Sequence, residues 1–469
     1  MRDRESILAE LIKSYQSRHK KSAEVFASAS RSLVKGGSHN LRLFSPYPFY
    51  DIHSGGSKVT DIDGHTYVDF WQGHFANILG HNPKVVLDTL KEYLSRGQGL
   101  ITGFPGEFQH KLAQLILDKI SAEKIRFTTS GTLATMYAIM LSKAFTQREV
   151  VVKVGGGWHG AQPYVLKGIT QYEDGLNQIE SAGISADVDS TIVLTKFNDE
   201  EHLEKTFYKH GDKIACLIIE PFIGAGGFLF GHTEYLNKVR ELTFRHKTLL
   251  IFDEVISGFR FHAGALQTLY GIDPDITVFG KAIGGGMSVS AVAGRADIMD
   301  LSGPETSSSN MVKFEGGTFS AHPASMLAGL TFLEYLIRNE KDIYSKIGRL
   351  GEKVRSGIEE IFSHYGILVK CTGGDGPHGI RSSLIGVNFL YEELDKLRFP
   401  EQIWNPKTSD IELREKIFKL AMLEEGFNTF HGYGAISMAH TEEEIQASLD
   451  AVERIAKKWS QYNLRDRSN

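Results

Sequence analysis

Two stretches of this chain have residue types that can do chemistry together. Thr248-Leu249-Leu250-Ile251-Phe252-Asp253-Glu254-Val255 is an apolar run ending in carboxylates, and Ile276-Thr277-Val278-Phe279-Gly280-Lys281-Ala282-Ile283-Gly284-Gly285-Gly286 is one ending in an amine. Each has the length and character of a buried strand and delivers a charged group where the strand stops. Asp253 precedes Lys281 by 28 residues (281 − 253), enough for a crossover between parallel strands. Side by side at a sheet edge, the amine can form a Schiff base with an aldehyde. The carboxylate can keep the nitrogen of an aromatic ring protonated and electron-withdrawing.

Ser130-Gly131-Thr132 falls between a strand and an amphipathic helix opening at Leu133. Backbone N–H groups at a helix start, two hydroxyls and an unobstructed glycine suit a phosphate dianion. An ordinary Ser or Thr N-cap explains the same residues taken alone. Beside Asp253 and Lys281 they call for a phosphorylated ring bearing an aldehyde, which is pyridoxal phosphate. Gly155-Gly156-Gly157-Trp158-His159-Gly160 spells G-x-G-x-x-G, yet a dinucleotide site needs a helix starting in the glycine turn, and here Trp158 is soon followed by Pro163. Trp158 offers a face for stacking on a flat cofactor, or is a buried turn residue. His159 is either a ligand or a loop residue. A P-loop is excluded because Ala282, not Ser or Thr, follows Gly280-Lys281. Phe279 before Lys281 and the glycines after it predict an enclosed lysine, whose pKa burial lowers. Asp253 and Glu254 each have the alternative of capping a helix. No His-Glu-x-x-His or paired Cys-x-x-Cys occurs, so no metal is expected.

The elements that must position these groups alternate between short apolar runs and amphipathic segments from about Lys124 to Gly294, which predicts a mostly parallel sheet covered on both faces. The strands are expected at Lys124 to Thr128, Val150 to Val154, Thr191 to Leu194, Ile214 to Ile219, Thr248 to Phe252, Ile276 to Phe279 and Val289 to Ala293. Leu133, Met136, Tyr137, Met140, Leu141 and Ala144, and likewise Leu236, Val239 and Leu242, recur at helical spacing and read as core packing. Lys58 to Phe70 alternates around Asp63-Gly64 and predicts an antiparallel hairpin. Beyond about Thr331 helices dominate, ending in one that Thr441-Glu442-Glu443-Glu444 opens as a capping box. Tyr391 to Asp410, polar and proline-containing, reads as a surface excursion. Residues 1–70 are expected to form an N-terminal segment belonging to a small unit, 71–330 a large cofactor-binding domain, and 331–469 a C-terminal small domain.

At 469 residues the chain exceeds the usual single-domain range, so at least two units are expected. With Lys+Arg 52 against Asp+Glu 57, its formal charge of −5 provides no field for phosphate backbones or anionic lipid, and neither nucleic acid nor membrane is an expected partner. The charged start Met1-Arg2-Asp3-Arg4-Glu5 is unlike a signal peptide, and no apolar run is long enough to span a bilayer. Of 2 cysteines, Cys216 sits in an apolar strand and reads as a buried, inert thiol, so a reducing cytoplasm is expected.

Ile251-Phe252-Asp253-Glu254-Val255-Ile256-Ser257-Gly258-Phe259-Arg260, followed by Phe279-Gly280-Lys281-Ala282-Ile283-Gly284-Gly285-Gly286-Met287, resembles the signature of class III aminotransferases, which are fold type I pyridoxal phosphate enzymes. The likeness runs from about Gly36 to Trp459. Within the class it is nearest the glutamate-1-semialdehyde aminomutase and β-amino-acid transaminase branch, through Gly36-Gly37 leading to Arg42, the Gly284 to Met287 run, and Ser437-Met438-Ala439-His440-Thr441-Glu442-Glu443. The resemblance implies an α/β fold with a mostly parallel seven-stranded sheet in a large domain and a smaller α+β C-terminal domain. It implies that Lys281 joins the cofactor, that Asp253 pairs with the ring nitrogen, and that Val255 and Trp158 pack on opposite ring faces with His159 beside them. Ser130, Gly131 and Thr132 would hold the phosphate. Thr318, in Glu315-Gly316-Gly317-Thr318-Phe319, would reach the phosphate of a neighbouring subunit, which implies a homodimer with shared sites. Arg42 matches the arginine that binds a substrate carboxylate.

The chain also departs from that pattern. In Glu220-Pro221-Phe222-Ile223-Gly224-Ala225 the aminomutases carry asparagine where Ala225 stands, and other class III enzymes have glutamine at Ile256, so the usual partner of the cofactor phenol oxygen is not visible. Gly432-Tyr433-Gly434 replaces a Glu-Ala-Gly segment of the aminomutases, which argues against their reaction. The leading expectation is a transaminase passing an amino group from an amino acid donor to a keto acid acceptor, with the α, β or ω position of the amine open. The rivals are a 2,1-aminomutase, a dinucleotide-dependent oxidoreductase using the Gly155 loop, and a non-catalytic binding protein on the same fold.

Overall fold

The computed structural model describes residues 4–170, 179–304, 309–374 and 376–462; Met1-Arg2-Asp3 of the charged start and the final residues of the 331–469 unit lie outside them. Three strands come first: β1 (Asp51–Gly55), β2 (Lys58–Asp61) and β3 (Thr66–Asp69). β2 and β3 pair antiparallel around Asp63-Gly64, as their alternation predicts, with Gly64 at φ 93°. The helix Arg4–Arg18 packs against the C-terminal segment 413–424, and the helix Lys20–Ala29 begins at this hairpin. The Asp63 carboxylate accepts from the Lys21 and Ser22 N–H groups at 2.7 and 2.9 Å and so caps the second of them.

β4 (Lys124–Thr128), β5 (Val150–Val154), β6 (Ile192–Thr195), β7 (Ile214–Ile219), β10 (Leu249–Asp253), β11 (Ile276–Phe279) and β12 (Ser290–Gly294) build one seven-stranded sheet in the order β4-β12-β11-β10-β7-β5-β6. Between β7 and β10 lies a small ribbon of β8 (Phe222–Ile223) and β9 (Leu229–Phe230). Only β12 runs against its two neighbours in the large sheet. The apolar runs are continuous because both sheet faces are covered. Val151, Ile218 and Ile251 pack with Ala134, Ala138 and Leu141 of the helix Gly131–Thr146, whereas Val152, Leu217, Leu250 and Phe252 pack with Leu236, Val239 and Leu242 of the helix Thr233–Arg245. Each of the larger of these side chains contributes about 1.5–3 kcal/mol by leaving water. Three strands begin and end one residue later than their apolar runs suggest, at Ile192–Thr195, Leu249–Asp253 and Ser290–Gly294. The ladder extends through polar or small end residues that hydrophobicity does not mark. Cys216 is fully buried, and burial pushes its thiol up to about 12.

The C-terminal part carries the helices Pro323–Arg338 and Glu340–His364, then β13 (Val369–Thr372), β14 (Leu384–Phe389), β15 (Phe427–Asn428) and β16 (Tyr433–Ala435). β15 pairs with β3, so the first and last parts of the chain share a sheet. The closing helix Glu442–Trp459 starts with the expected capping box between Thr441 and Glu444. Tyr391 to Asp410 is more than a surface excursion. It contains the helix Pro400–Trp404, whose Pro400 and Ile403 are buried, and the Trp404 indole donates to the Ala225 carbonyl at 2.9 Å. The proline that suggested a loop occupies the first turn of a helix, where its missing N–H costs nothing. Among the described residues no helix is long and apolar enough to cross a membrane.

Candidate active site

Five strands of the large sheet point their C-terminal ends at one cavity of about 270 Å³. Ser130, Gly131 and Thr132 arrive there from β4, Trp158 and His159 from β5, Glu220 from β7, Asp253 and Val255 from β10, and Lys281 from β11. Parallel strands all deliver their ends to one rim, which explains why residues 151 positions apart (281 − 130) converge. β10 and β11 are direct neighbours with Asp253 opposite Val278, so the carboxylate and the amine stand on adjacent strand ends.

Asp253 is 3% exposed and held on both oxygens: Oδ1 accepts from the Val255 N–H at 3.0 Å, and Oδ2 lies 2.8 Å from His159 Nδ1. Burial holds the His159 imidazole below its ordinary pKa, so the ring is neutral and donates its single proton from Nδ1 to Asp253. His159 Nε2 is buried without a hydrogen-bond partner among the described residues. Lys281 sits at φ 47° in the turn after β11, partly exposed to the cavity. Burial lowers its ammonium pKa, against the opposing charge of Asp253, and enriches the neutral, nucleophilic amine.

Ser130 is the N-cap of the helix Gly131–Thr146, its hydroxyl accepting from the Leu133 N–H at 3.3 Å, and that helix start opens on the cavity. Capping and anion binding are thus compatible at one helix end. Three glycines shape the wall. A Cβ on Gly131 or Gly280 would meet Val255 at 3.2 Å, and one on Gly160, which is at φ 87°, would come within 2.6 Å of Thr132 Cα. Bare backbone lets these strand-end loops, Val255 and Thr132 approach one another closely, and the cavity left between Trp158, Val255 and the helix start is bordered by an amine, a carboxylate and a helix N-terminus, so the residues present fit the group expected from the sequence.

The eight residues expected around the ring therefore line one cavity, and Thr318 and Arg42 do not. Thr318 is exposed in a loop whose Gly317 faces Thr129. Arg42 ends a short helical turn, Asn40–Arg42, and its Nε donates to His74 Nε2 at 3.3 Å. Glu254 takes the capping role open to it: its carboxylate accepts from the N–H groups of Leu266 and Gln267 at 2.7 and 2.9 Å and from Ser257 Oγ at 2.9 Å.

Sequence reasoning passed over Glu220, although the signal is the same as at Asp253, an apolar strand ending in an acid. Its Oε1 accepts from the Trp158 N–H at 2.9 Å and its Oε2 from the Gly224 N–H at 3.1 Å. Burial first, and then the charge of Asp253, push its pKa up to about 8, so it carries a proton at neutral pH. Ile256, where a glutamine was absent from the sequence, lines the same cavity with an apolar side chain. No helix grows from the Gly155 loop before Ala186 among the described residues, which removes the structural basis for a dinucleotide site.

Residues 46–376 match the sequence model of the aminotransferase class-III family. The chain is 34% identical over 443 residues to a glutamate-1-semialdehyde 2,1-aminomutase of Thermoplasma volcanium, covering 92% of this chain and 98% of the relative. In three dimensions it is similar to an omega-transaminase from Sphaerobacter thermophilus, with TM-score 0.83, 28% identity and coverage of 94% of this chain and 98% of that one. It is also similar to a beta-phenylalanine aminotransferase from Variovorax paradoxus, with TM-score 0.84, 26% identity and coverage of 97% and 98%.

Proposed function

Because the chain belongs to the class-III aminotransferase family, we propose that it is a transaminase dependent on pyridoxal phosphate, moving an amino group between an amino acid whose carboxylate engages Arg42 and a keto acid. The observation that carries this reading is the pairing of Asp253 and Lys281 on adjacent parallel strand ends within one cavity that a helix start also faces. Pyridoxal phosphate, when bound there, supplies an aldehyde carbon for amine exchange and a ring that withdraws electrons. Ser130, Gly131 and Thr132 would hold its phosphate, Asp253 its ring nitrogen, and Val255 and Trp158 its ring.

Each side chain then has a defined task. Lys281, made less basic by burial, would hold the cofactor's aldehyde carbon and would move a proton at the substrate carbon that bears the amine. His159 orients the Asp253 carboxylate through its Nδ1. Glu220 fixes the Trp158 backbone, and with it the stacking wall.

The named relatives favour a second reading, an intramolecular 2,1-aminomutase. Gly432-Tyr433-Gly434, in place of the aminomutases' acid-bearing segment, weighs against it. The two separate in the visible spectrum of the cofactor-loaded protein offered a panel of α-, β- and ω-amino acids, followed by product analysis. A transaminase loses the cofactor absorbance with its donor and turns over only when a keto acid is present; turnover with no acceptor marks the aminomutase. No spectral response to any amino compound overturns both.

The working form in this reading is a homodimer in a reducing compartment. Phe104, Leu100 and Phe319 are 81%, 75% and 60% exposed, the Ala324 N–H donates to the Gly99 carbonyl so that these loops adjoin, and Thr318 lies among them. Exposed apolar clustering of this kind favours a partner surface. Cys216 and Cys371 are unpaired, which fits reducing conditions. Mixing inactive Lys281→Ala with Thr318→Ala tests the shared site: activity regained in the mixture supports it, and none regained from exchanging subunits refutes it.

A further inference from the structure

The segment between β3 and the helix Lys84–Ser95 contains a turn that chirality disfavours. Gln72, Gly73, His74 and Phe75 all have positive φ, at 48°, 60°, 60° and 67°, forming one left-handed helical turn in which three residues are not glycine. Such strain persists only where the surroundings over-determine it. Here they do. The buried Asp69 carboxylate accepts from the N–H groups of Trp71 and Gln72 at 3.1 and 2.9 Å and from Asn428 Nδ2 at 2.7 Å, and lies 2.7 Å from His81 Nε2. The Gln72 side-chain amide donates to the Asp69 carbonyl at 2.7 Å, and Phe75 is buried against Phe228 and Phe430.

What the turn presents is His74. Its Nε2 accepts the Arg42 Nε–H at 3.3 Å, and the rings of His39 and Trp71 lie 4.8 and 4.7 Å from its own. Burial, with the nearby charges of His39, Arg42 and Lys281, pushes His74 down to about 3, so the imidazole stays neutral and keeps a lone pair for Arg42. A guanidinium offers two edges for bidentate contact, Nε with one Nη, or the two Nη groups together. With Nε committed to His74, the two Nη groups remain, and among the described residues neither has a partner.

We propose that His74 is a positioning residue for substrate, held on the left-handed turn to consume the Nε edge of Arg42 so that a substrate carboxylate is gripped end-on by its two Nη groups. The proposal rests on the reading of Arg42 as the carboxylate ligand. It adds that the reach from the lysine to the acid group is set by a residue outside the cofactor cavity.

The test is calorimetric binding of butanoate to the cofactor-loaded protein, with chemical denaturation alongside. His74→Gly suits the backbone angle and relieves strain while removing the acceptor. Butanoate Kd is expected to rise about tenfold, the usual weight of one hydrogen bond to a charged group, while the denaturation midpoint stays or rises. A merely structural role would weaken binding and stability together, so a weakened Kd with a lowered midpoint overturns the proposal. Arg42→Ala keeps the two claims apart. If it weakens butanoate and His74→Gly does not, His74 is the error. If Arg42→Ala changes nothing, or the unmutated protein does not bind butanoate, the carboxylate reading itself falls, and the proposal with it.

Discussion

The Asp253 carboxylate and the His159 imidazole form a buried pair, Oδ2 to Nδ1 at 2.8 Å, at the ends of two strands separated in the sheet by β7. Neither residue is a close sequence neighbour of the other, and their pairing orients the carboxylate at the end of β10 toward the cavity.

Removing that charge while keeping its shape measures what it does. Asp253→Asn is expected to weaken cofactor binding by roughly tenfold to a hundredfold, the range for losing a charge-assisted hydrogen bond, and to depress turnover further. Absorbance titration with pyridoxal phosphate measures the first effect and steady-state kinetics the second.

Lys281→Ala takes away the amine that both exchanges with donor and moves the proton. kcat is expected to fall by about a thousandfold or more, since general acid–base catalysis alone accounts for 10²–10⁴. The variant should still bind the cofactor, because the helix start at Ser130 and the Asp253 pair are untouched, and equilibrium dialysis of the variant checks this.

Gly160→Ala tests the cradle. Its Cβ would come within 2.6 Å of Thr132 Cα, at a backbone angle of φ 87° that an L side chain resists. A loss of about 2–3 kcal/mol in stability is expected from overpacking and strain combined, read by urea denaturation, together with weaker phosphate binding.

Glu220 supplies a pH dependence. Its pKa is raised from 4.5 to about 8 in the folded protein, so the folded state holds a proton that the unfolded chain releases. Its contribution to stability is full below pH 4.5 and is lost as pH rises toward about 8. Glu254, raised to about 7 by burial, acts in the same direction. Glu220→Gln should flatten, without abolishing, the decline of unfolding free energy across that window, as measured by denaturation at successive pH values on the cofactor-free protein.

Much of the site was legible because parallel sheets concentrate chemistry at strand ends. Asp253 and Lys281 each terminate an unbroken apolar run, and hydrophobic pattern is the feature a single sequence displays best. Glu220 carried the same signal but was passed over as part of a family motif. His74 carried none. Its left-handed turn uses Gln72, His74 and Phe75 where composition would ask for glycine, and its stability comes from Asp69 and Asn428, the second lying 359 residues from the first. The helix at Pro400 was obscured for a related reason: Pro400 and Ile403 are buried against the Gly156 and Gly227 backbones, partners that no local pattern reveals.

The most direct measurement is to load the protein with pyridoxal phosphate, reduce it with borohydride, digest it and locate the pyridoxyl group by mass spectrometry. Recovery on the peptide containing Lys281, and its absence there in Lys281→Ala, is the predicted result. A pyridoxyl group on another lysine, or none at all with cofactor in excess, would contradict the assignment of the amine at the end of β11.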